Sequence, residues 1–233
     1  MHWSRAPALP ALPVRRLRGA GAHGAACEPP GRFRRESLRV QRGACLVSLN
    51  RIDAARSALV LVDYQQRLLP AIHRSEQVMT EALLLADVAL ELGLAVIGTE
   101  QNPAGLGPND ARVRQRCAST LAKMYFDACE DGLLQALPAG PDGAPIDVVI
   151  AGCEAHVCLM QTALGLRRAG HAVWVCAPAC GSREPEDHAL AMQRLAGAGA
   201  VIVSTEMVAF EWLHSCRHER FKAVLQRLKT PRS

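Results

Sequence analysis

Residues 147–164, with the sequence DVVIAGCEAHVCLMQTAL, predict a strand, a tight turn and a helix. Residues 148–150 form a short β-branched apolar run, Gly152 interrupts it, and apolar residues then recur at helical spacing. The turn places Cys158 in the first turn of the helix, where free backbone N–H groups and the helix dipole favour an anion. Cys158 is therefore expected to have a lowered pKa and to be nucleophilic. The alternative is that Cys158 packs as a small buried hydrophobic residue.

Length and composition favour one large α/β domain over two small ones. The chain has 233 residues, of which 49% are hydrophobic, and no run approaches the roughly 18 apolar residues of a membrane span. The net charge of +5 is concentrated at one end, because residues 1–50 carry nine Arg against Glu28 and Glu36 and leave the other residues with a charge of −2. The body of the protein therefore gives no support for nucleic-acid binding.

The nine cysteines are an odd number without the spacing of a disulfide framework, which indicates a reducing compartment, and we expect a cytoplasmic protein. None of them forms the close Cys/His pairing of a zinc site. Lysine is scarce, with three Lys against 24 Arg. Lys123 is the one that does not fall on the polar C-terminal helix, which suggests that its amine is required.

Residues 1–50 show no sustained periodicity and contain several prolines, so we expect a disordered, Arg-rich extension. Two alternatives stay open. Transit peptides are also Arg-rich and acid-poor, which would direct the protein to mitochondria, and the start codon could be assigned too far upstream.

Strands alternate with helices from about residue 57 to residue 229, which predicts a three-layer αβα, Rossmann-like fold with a mainly parallel sheet of five to six strands. Residues 111–126, which contain Lys123, are too weakly patterned to assign. The predicted strands are 58–62, 94–98, 148–150, 172–177 and 200–204, and the predicted helices are 75–92, 128–137, 185–196, 205–212 and 221–228, together with the helix that carries Cys158.

The expected site lies at the carboxyl ends of the strands. Asp63 follows the first strand and Cys158 follows the strand at 148–150, so the topology brings both to one edge of the sheet. No GxGxxG, P-loop or GxSxG motif is present. The reactive groups that remain as candidates are a thiol, a carboxylate and an ammonium. The thiol can attack a carbonyl carbon, the carboxylate can move the thiol proton, and the ammonium can stabilise negative charge. An Asp after a strand is also compatible with simple turn capping.

Three motifs together carry a resemblance to a known family: Asp63-x-Gln65, Lys123, and GCEAHVC at residues 152–158. From about residue 57 to residue 228 the chain resembles the isochorismatase-like cysteine hydrolase superfamily, which contains nicotinamidase and N-carbamoylsarcosine amidohydrolase. The segments LLPAI, TEQNPAGLGP and GCEAHVC are most similar to the isochorismatase domain-containing proteins. The resemblance implies a hydrolase that forms a homo-oligomer.

The resemblance also implies the role of each residue. Cys158 is expected to be the nucleophile, Asp63 the general base and acid, and Lys123 the electrostatic partner. The backbone N–H groups of Glu154 and Cys158 are expected to form the oxyanion hole, with a cis peptide bond between Cys153 and Glu154.

Departures from the family pattern refine these expectations. Nicotinamidases bind a metal through an Asp and two His after the second strand, but residues 99–110 contain no His, so we expect no metal and no cofactor. Gln65 either orients the substrate or satisfies loop backbone groups, and Asn102 and Tyr125 are pocket candidates by position. His156 is expected to begin the helix rather than to act as a base.

Two hypotheses of function follow. In the first, the protein cleaves a C–N bond of a small amide or ureido compound. True isochorismatases cleave a vinyl ether without a cysteine nucleophile, so the presence of Cys158 favours C–N hydrolysis. In the second, it is a catalytically silent protein that binds a small molecule or a partner on the same fold.

Overall fold

A computed structural model describes residues 51–229, which form a sheet of six parallel strands with helices packed against it. The strands are β1 (Ser57–Val62), β2 (Ala95–Gln101), β3 (Ser119–Lys123), β4 (Asp147–Gly152), β5 (Ala172–Cys176) and β6 (Val201–Val203). All five strand pairings are parallel, which confirms the predicted α/β class.

The helices lie between the strands and after the last of them. They are α1 (Ser75–Glu91), α2 (Pro103–Leu106), α3 (Ala111–Arg114), α4 (Leu133–Ala136), α5 (Met160–Arg168), α6 (Pro185–Gly197), α7 (Thr205–Leu213) and α8 (Phe221–Lys229). A single π-helical turn, Ala155–Leu159, precedes α5 and carries Cys158.

The strand order is β3-β2-β1-β4-β5-β6. The chain therefore builds the sheet outward in one direction through β2 and β3 and in the other through β4, β5 and β6. Because crossovers between parallel strands are right-handed, the two directions place their helices on opposite faces. In agreement, α1 packs with α7 and α8, whereas α5 packs with α6. The switch of direction falls between β1 and β4, where the crevice of such folds lies.

The core is centred on β1 and β4, in which every residue is buried. Their apolar runs are continuous rather than alternating because helices cover both faces of the sheet. The register pairs Val62 with Gly152, so the last residues of the two strands lie side by side. Asp63 and the turn that carries Cys158 consequently leave the sheet at adjacent points.

The structure corrects several predicted boundaries. Residues 119–123, which were left unassigned, form the edge strand β3. Residues 94–98 were predicted as the whole second strand, but β2 continues to Gln101 because it pairs with both β1 and β3. The helix predicted at 128–137 is divided by Gly132, whose φ of 101° ends a 3₁₀ turn before α4 begins. The strand boundaries differ from the prediction because of pairing between strands, and the helix boundary differs because of the conformation of Gly132.

No helix among residues 51–229 is long and apolar enough to cross a membrane. The disordered extension predicted for residues 1–50 lies outside the described residues.

The close approach of β4 to β1 generates a first prediction. A Cβ on Gly152 would lie 2.6 Å from both Cβ and the carbonyl oxygen of Val62. We expect Gly152→Ala to lower the free energy of unfolding by about 1–3 kcal/mol, because the β1 backbone would have to move. Urea unfolding followed by circular dichroism measures this change.

Gly197→Ala is the matched control, since nothing lies within 4 Å of the added Cβ near the end of α6. It should leave stability unchanged or raise it by about 0.5–1 kcal/mol, because alanine favours helix over glycine. Equal stability of Gly152→Ala and wild type would contradict the close contact of the two strands.

Candidate active site

The three residues expected to carry the chemistry meet at the carboxyl edge of the sheet. Asp63 follows β1, Lys123 ends β3 and Cys158 lies in the π-helical turn after β4. All three are buried. The Lys123 ammonium lies 2.8 Å from Asp63 Oδ2, and both side chains are completely shielded from solvent. The sheet thus brings together residues that are separated by up to 95 positions in the sequence.

The two oxygen atoms of the Asp63 carboxylate have different partners. Its Oδ1 accepts a hydrogen bond of 2.7 Å from the Thr99 hydroxyl. Its Oδ2 pairs with the Lys123 charge but accepts no directed hydrogen bond within residues 51–229. Asp63 also has a φ of 56°, a left-handed conformation that costs a non-glycine residue roughly 1 kcal/mol or more. The Asp63 side chain thus bonds Thr99 and Lys123 instead of a backbone N–H of the turn that follows β1.

Gln101, which was not singled out in the sequence, completes the cluster. Its Oε1 accepts a hydrogen bond of 2.6 Å from Lys123 Nζ and lies 3.8 Å from Cys158 Sγ. Its Nε2 donates to the carbonyl oxygen of Met124 at 2.8 Å, and this bond fixes which end of the amide faces the ammonium. Gln101 therefore links the cation and the thiol through one oxygen atom.

Sequence reasoning missed Thr99 and Gln101 because it ended β2 at residue 98 and assigned the following residues to a loop. In the structure Thr99 and Gln101 are the third-last and last residues of β2, and their side chains point to the same face of the strand. Gln101 is paired in register with Lys123. The polar TEQ segment at residues 99–101 was itself a signal, because polar residues alone do not end a strand.

The Cys158 thiol differs from the sequence prediction. Its pKa is raised to about 12, first by burial, which disfavours the thiolate, and next by the negative charge of Asp63. Lys123 acts in the opposite direction and lowers the pKa, while the charge of Glu154 raises it further. The thiol is placed to donate to Gln101 Oε1 at 3.8 Å. The predicted low pKa is therefore wrong. A thiol with a pKa of about 12 is protonated at neutral pH.

The backbone before the nucleophile also departs from expectation. No peptide bond among residues 51–229 is cis, so the predicted cis bond between Cys153 and Glu154 is wrong. The chain changes direction instead through Glu154, which has a φ of 48° and a ψ of 66°. The N–H of Cys153 donates to Val62 and the N–H of Ala155 donates to Gly181, whereas the N–H of Glu154 has no acceptor among the described residues.

The other candidate residues of the sequence analysis lie around this cluster, each in a different environment. Gln65 is completely buried, and its amide bonds the Gln101 N–H and the carbonyl oxygens of Gln101 and Gly107, so it satisfies loop backbone groups. Asn102 is exposed, and its N–H donates to the Lys123 carbonyl oxygen. Tyr125 is 57% exposed beside Lys123. Within residues 51–229 no group of three His, Cys, Asp or Glu side chains is arranged to hold a metal ion.

His156 begins the turn before the nucleophile, as expected, and is bound there by residues of the β5–α6 connection. Its Nδ1 lies 3.0 Å from the Ser182 hydroxyl. Glu154, beside it, is paired with Arg183 at 2.8 Å. Neither side chain belongs to the Asp63, Lys123 and Gln101 cluster.

The isochorismatase domain family matches residues 57–207 of this chain. The chain belongs to the isochorismatase family. It is 30% identical to isochorismatase domain-containing protein 2A of Mus musculus over 81% of this chain and 90% of that protein. It is 32% identical to isochorismatase domain-containing protein 1 of Danio rerio over 79% of this chain and 65% of that protein.

Solved structures agree with this assignment. The MAR1 ribonuclease of Caenorhabditis elegans is 28% identical, with a TM-score of 0.73 over 79% of this chain and 95% of that chain. The YcaC gene product of Escherichia coli, described as an octameric hydrolase of unknown specificity, is 26% identical, with a TM-score of 0.68 over 76% of this chain and 88% of that chain. The resemblance read from the three motifs is confirmed, and the family supports a hydrolase.

The raised pKa of Cys158 generates a second prediction. Since the pKa of about 12 lies far above neutrality, the rate of Cys158 alkylation by iodoacetamide should rise about tenfold per pH unit from pH 7 to pH 10, without a plateau. A model thiol with a pKa of about 8.5 should level off in this range. Peptide mass spectrometry measures the rate at Cys158 separately from the other cysteines.

Lys123→Met should slow this alkylation by about tenfold or more, because it removes the charge that lowers the thiol pKa. Lys222→Met, on the exposed face of α8, is the matched control and should not change the rate. A wild-type rate that is already level at pH 7 would show a preformed thiolate, and an unchanged rate in Lys123→Met would remove Lys123 from the electrostatics of the thiol.

Proposed function

We propose that the protein is a cofactor-independent cysteine hydrolase that cleaves a C–N bond of a small amide or ureido compound. Cys158 is the nucleophile, Asp63 is the general base and acid, and Lys123 is their electrostatic partner. The observation that carries this proposal is the solvent-free pair of Asp63 Oδ2 and Lys123 Nζ at 2.8 Å, which lies close enough to the Cys158 thiol for both charges to act on its pKa. The family supplies the hydrolase class and leaves the bond that is cleaved open.

The first half of the reaction transfers the thiol proton to Asp63 as Sγ attacks the substrate carbonyl carbon. A neutral resting thiol suits this order, because a general base is needed only when the proton has to be removed during attack. The negative charge that develops on the carbonyl oxygen would be bound by the N–H groups of Glu154 and Cys158. The unused N–H of Glu154 is available for this purpose.

The second half restores the thiol. Asp63 gives its proton to the departing nitrogen, the C–N bond breaks and a thioester remains on Cys158. A water molecule then loses a proton to Asp63 and attacks the thioester, and Sγ leaves and takes that proton back. The hydrogen bond of 2.6 Å to Gln101 and the ion pair to Asp63 hold the Lys123 ammonium in place during both halves. No step requires a metal or an organic cofactor.

The entrance to this site includes exposed side chains beside Lys123. Tyr125 lies two residues after Lys123, the last residue of β3, and Asn102 directly follows Gln101, the last residue of β2. We propose that Tyr125 and Asn102 contact the substrate and that Gln65 supports the loop behind it. An uncharged substrate fits best, because Asp63 and Lys123 already neutralise each other.

A panel of small amides and ureides tests the proposal. Wild type should release ammonia or an amine from at least one member, and Cys158→Ala should reduce this turnover by about 10³-fold or more, because the covalent route is lost. Cys216→Ala removes an exposed thiol and is the matched control. Asp63→Asn should also lose turnover, since it has no proton acceptor. Coupled ammonia assays and mass spectrometry of the products provide the measurement.

The same panel separates the proposal from a catalytically silent binding protein. Tight binding of a panel member without turnover in wild type would favour the silent protein. Equal turnover in wild type and Cys158→Ala would exclude Cys158 as the nucleophile. A short RNA belongs in the panel because the similar Caenorhabditis elegans protein is described as a ribonuclease. We expect no RNA cleavage, since the chemistry proposed for Cys158 takes place at a carbonyl carbon.

We further propose that the protein forms a homo-oligomer through the outer edge of β3. Met124, Tyr125 and Phe126 are consecutive large hydrophobic residues that are each more than half exposed. They follow an edge strand whose outer backbone groups are not paired in the described chain. Exposed apolar clusters beside an open strand edge are typical of an interface. The octamer of the similar Escherichia coli hydrolase supports assembly in this family.

Replacing Met124 and Phe126 with serine should reduce the mass measured by light scattering after gel filtration to that of a smaller assembly. The physical reason is the loss of apolar area at the proposed interface. Leu190→Ser, which removes an exposed apolar side chain from α6, is the matched control and should leave the mass unchanged. A wild-type mass of a single chain, or an unchanged assembly in the double variant, would contradict the proposal.

A further inference from the structure

A second group of reactive side chains lies on the other side of the nucleophile turn. The Ser182 hydroxyl is 3.0 Å from His156 Nδ1, and His156 Nε2 is 3.7 Å from Asp187 Oδ2. The three residues come from three places: the turn after β4, the connection after β5, and the first turn of α6. Serine, imidazole and carboxylate in this order are the components of a Ser-His-Asp hydrolase. The two ring nitrogens are exchanged relative to the usual triad, because the serine meets Nδ1, and the carboxylate lies beyond hydrogen-bond distance of Nε2.

A cavity of about 500 Å³ opens beside this group, between the beginnings of α1 and α6. Ser182 is part of its wall. Asp63, Lys123 and Cys158 are not among the described residues that line it. The cavity is thus separate from the cysteine site, and its volume suits a small ligand.

We propose that Ser182 is the nucleophile of a second site that hydrolyses small carboxylic esters, with His156 as its base and Asp187 as the residue that orients the imidazole. This activity is independent of the function proposed for Cys158. Ser182 is only 2% exposed, so the acyl group that reaches it must be short. The alcohol half of the ester occupies the wider part of the cavity.

The charges around the cavity favour an uncharged or anionic ester. Arg74 and the imidazoles of His73 and His188 line its wall. The acid of the wall, Glu81, is engaged by the Thr205 hydroxyl. A cationic ester would therefore meet a guanidinium without a free carboxylate to balance it.

The reaction balances with water as the only second reactant. Ser182 Oγ forms a bond to the ester carbonyl carbon while its proton moves to His156 Nδ1. The bond to the alcohol oxygen breaks, and the alcohol leaves with that proton. Water then attacks the acyl-serine, its proton passes through His156 to Ser182 Oγ, and the carboxylic acid is released. The positive charge that forms on His156 faces Asp187, which is 44% exposed and can approach it by rotation of its side chain.

An alkyl fluorophosphonate tests the nucleophile directly, because an activated serine displaces fluoride and keeps the phosphonyl group. Incubation of the full chain followed by peptide mass spectrometry should find this group on Ser182, and His156→Gln should reduce the labelled fraction at least tenfold. Ser119→Ala, on the exposed edge strand, is the control and should label like wild type.

Hydrolysis of p-nitrophenyl acetate gives the second measurement. It is made in a Cys158→Ala background, because a thiol also attacks activated esters. Adding Ser182→Ala should reduce the remaining rate at least tenfold, with an unchanged melting temperature as the check of folding. Folded wild-type protein without a phosphonyl group on Ser182, or an unchanged rate when Ser182→Ala is added, would overturn the proposal. Neither result depends on amide turnover at Cys158.

Discussion

The ion pair between Asp63 and Lys123 is the interaction on which the rest of the site depends. Both side chains are shielded from solvent, and the two charged atoms are 2.8 Å apart. Removing two charges from water is costly, and a buried pair compensates for this cost only with good geometry and additional hydrogen bonds. A pair of this kind is weak as a source of stability. Its position at the carboxyl edge of the sheet, near a thiol, is where the chemistry proposed for Cys158 requires it.

The neighbouring residues can be understood from what this pair requires. An ammonium has three protons to place, and Gln101 accepts one at 2.6 Å while the Tyr125 carbonyl oxygen lies 3.4 Å away. A carboxylate needs donors, and Thr99 supplies one to Oδ1. The second carboxylate oxygen is left without a directed hydrogen bond. The polar atoms of the two side chains are therefore nearly all satisfied in the resting protein, and Asp63 Oδ2 is the exception.

Much of the fold followed from the sequence because its signals are local. The continuous apolar runs of β1 and β4 predicted a sheet covered on both faces, and the GCEAHVC segment placed Cys158 at the correct edge. Local signals were too weak for β3, whose residues are mostly exposed and whose assignment depends on pairing with β2. Gln101 was missed for the same reason, because its role is set by the register opposite Lys123.

The pKa of Cys158 shows most clearly what a sequence pattern leaves out. The prediction of a low pKa considered the helix terminus and the nearby lysine, and both of these favour the thiolate. Burial and the charge of Asp63 raise the thiol pKa, and these two effects are the stronger ones. The reason is that the Lys123 cation, which would lower the thiol pKa, is already paired with the Asp63 carboxylate.

The same competition gives the site a form of selectivity. A thiolate stabilised at rest would react with any electrophile that reached it, whereas a neutral thiol next to a general base becomes strongly nucleophilic only when its proton is taken. An ideally oriented carbonyl group allows attack and proton transfer to occur together, and a poorly oriented one does not. In the reaction proposed for Cys158, burying the ion pair with the thiol therefore sacrifices general reactivity and makes the geometry of the bound substrate the factor that controls the nucleophile.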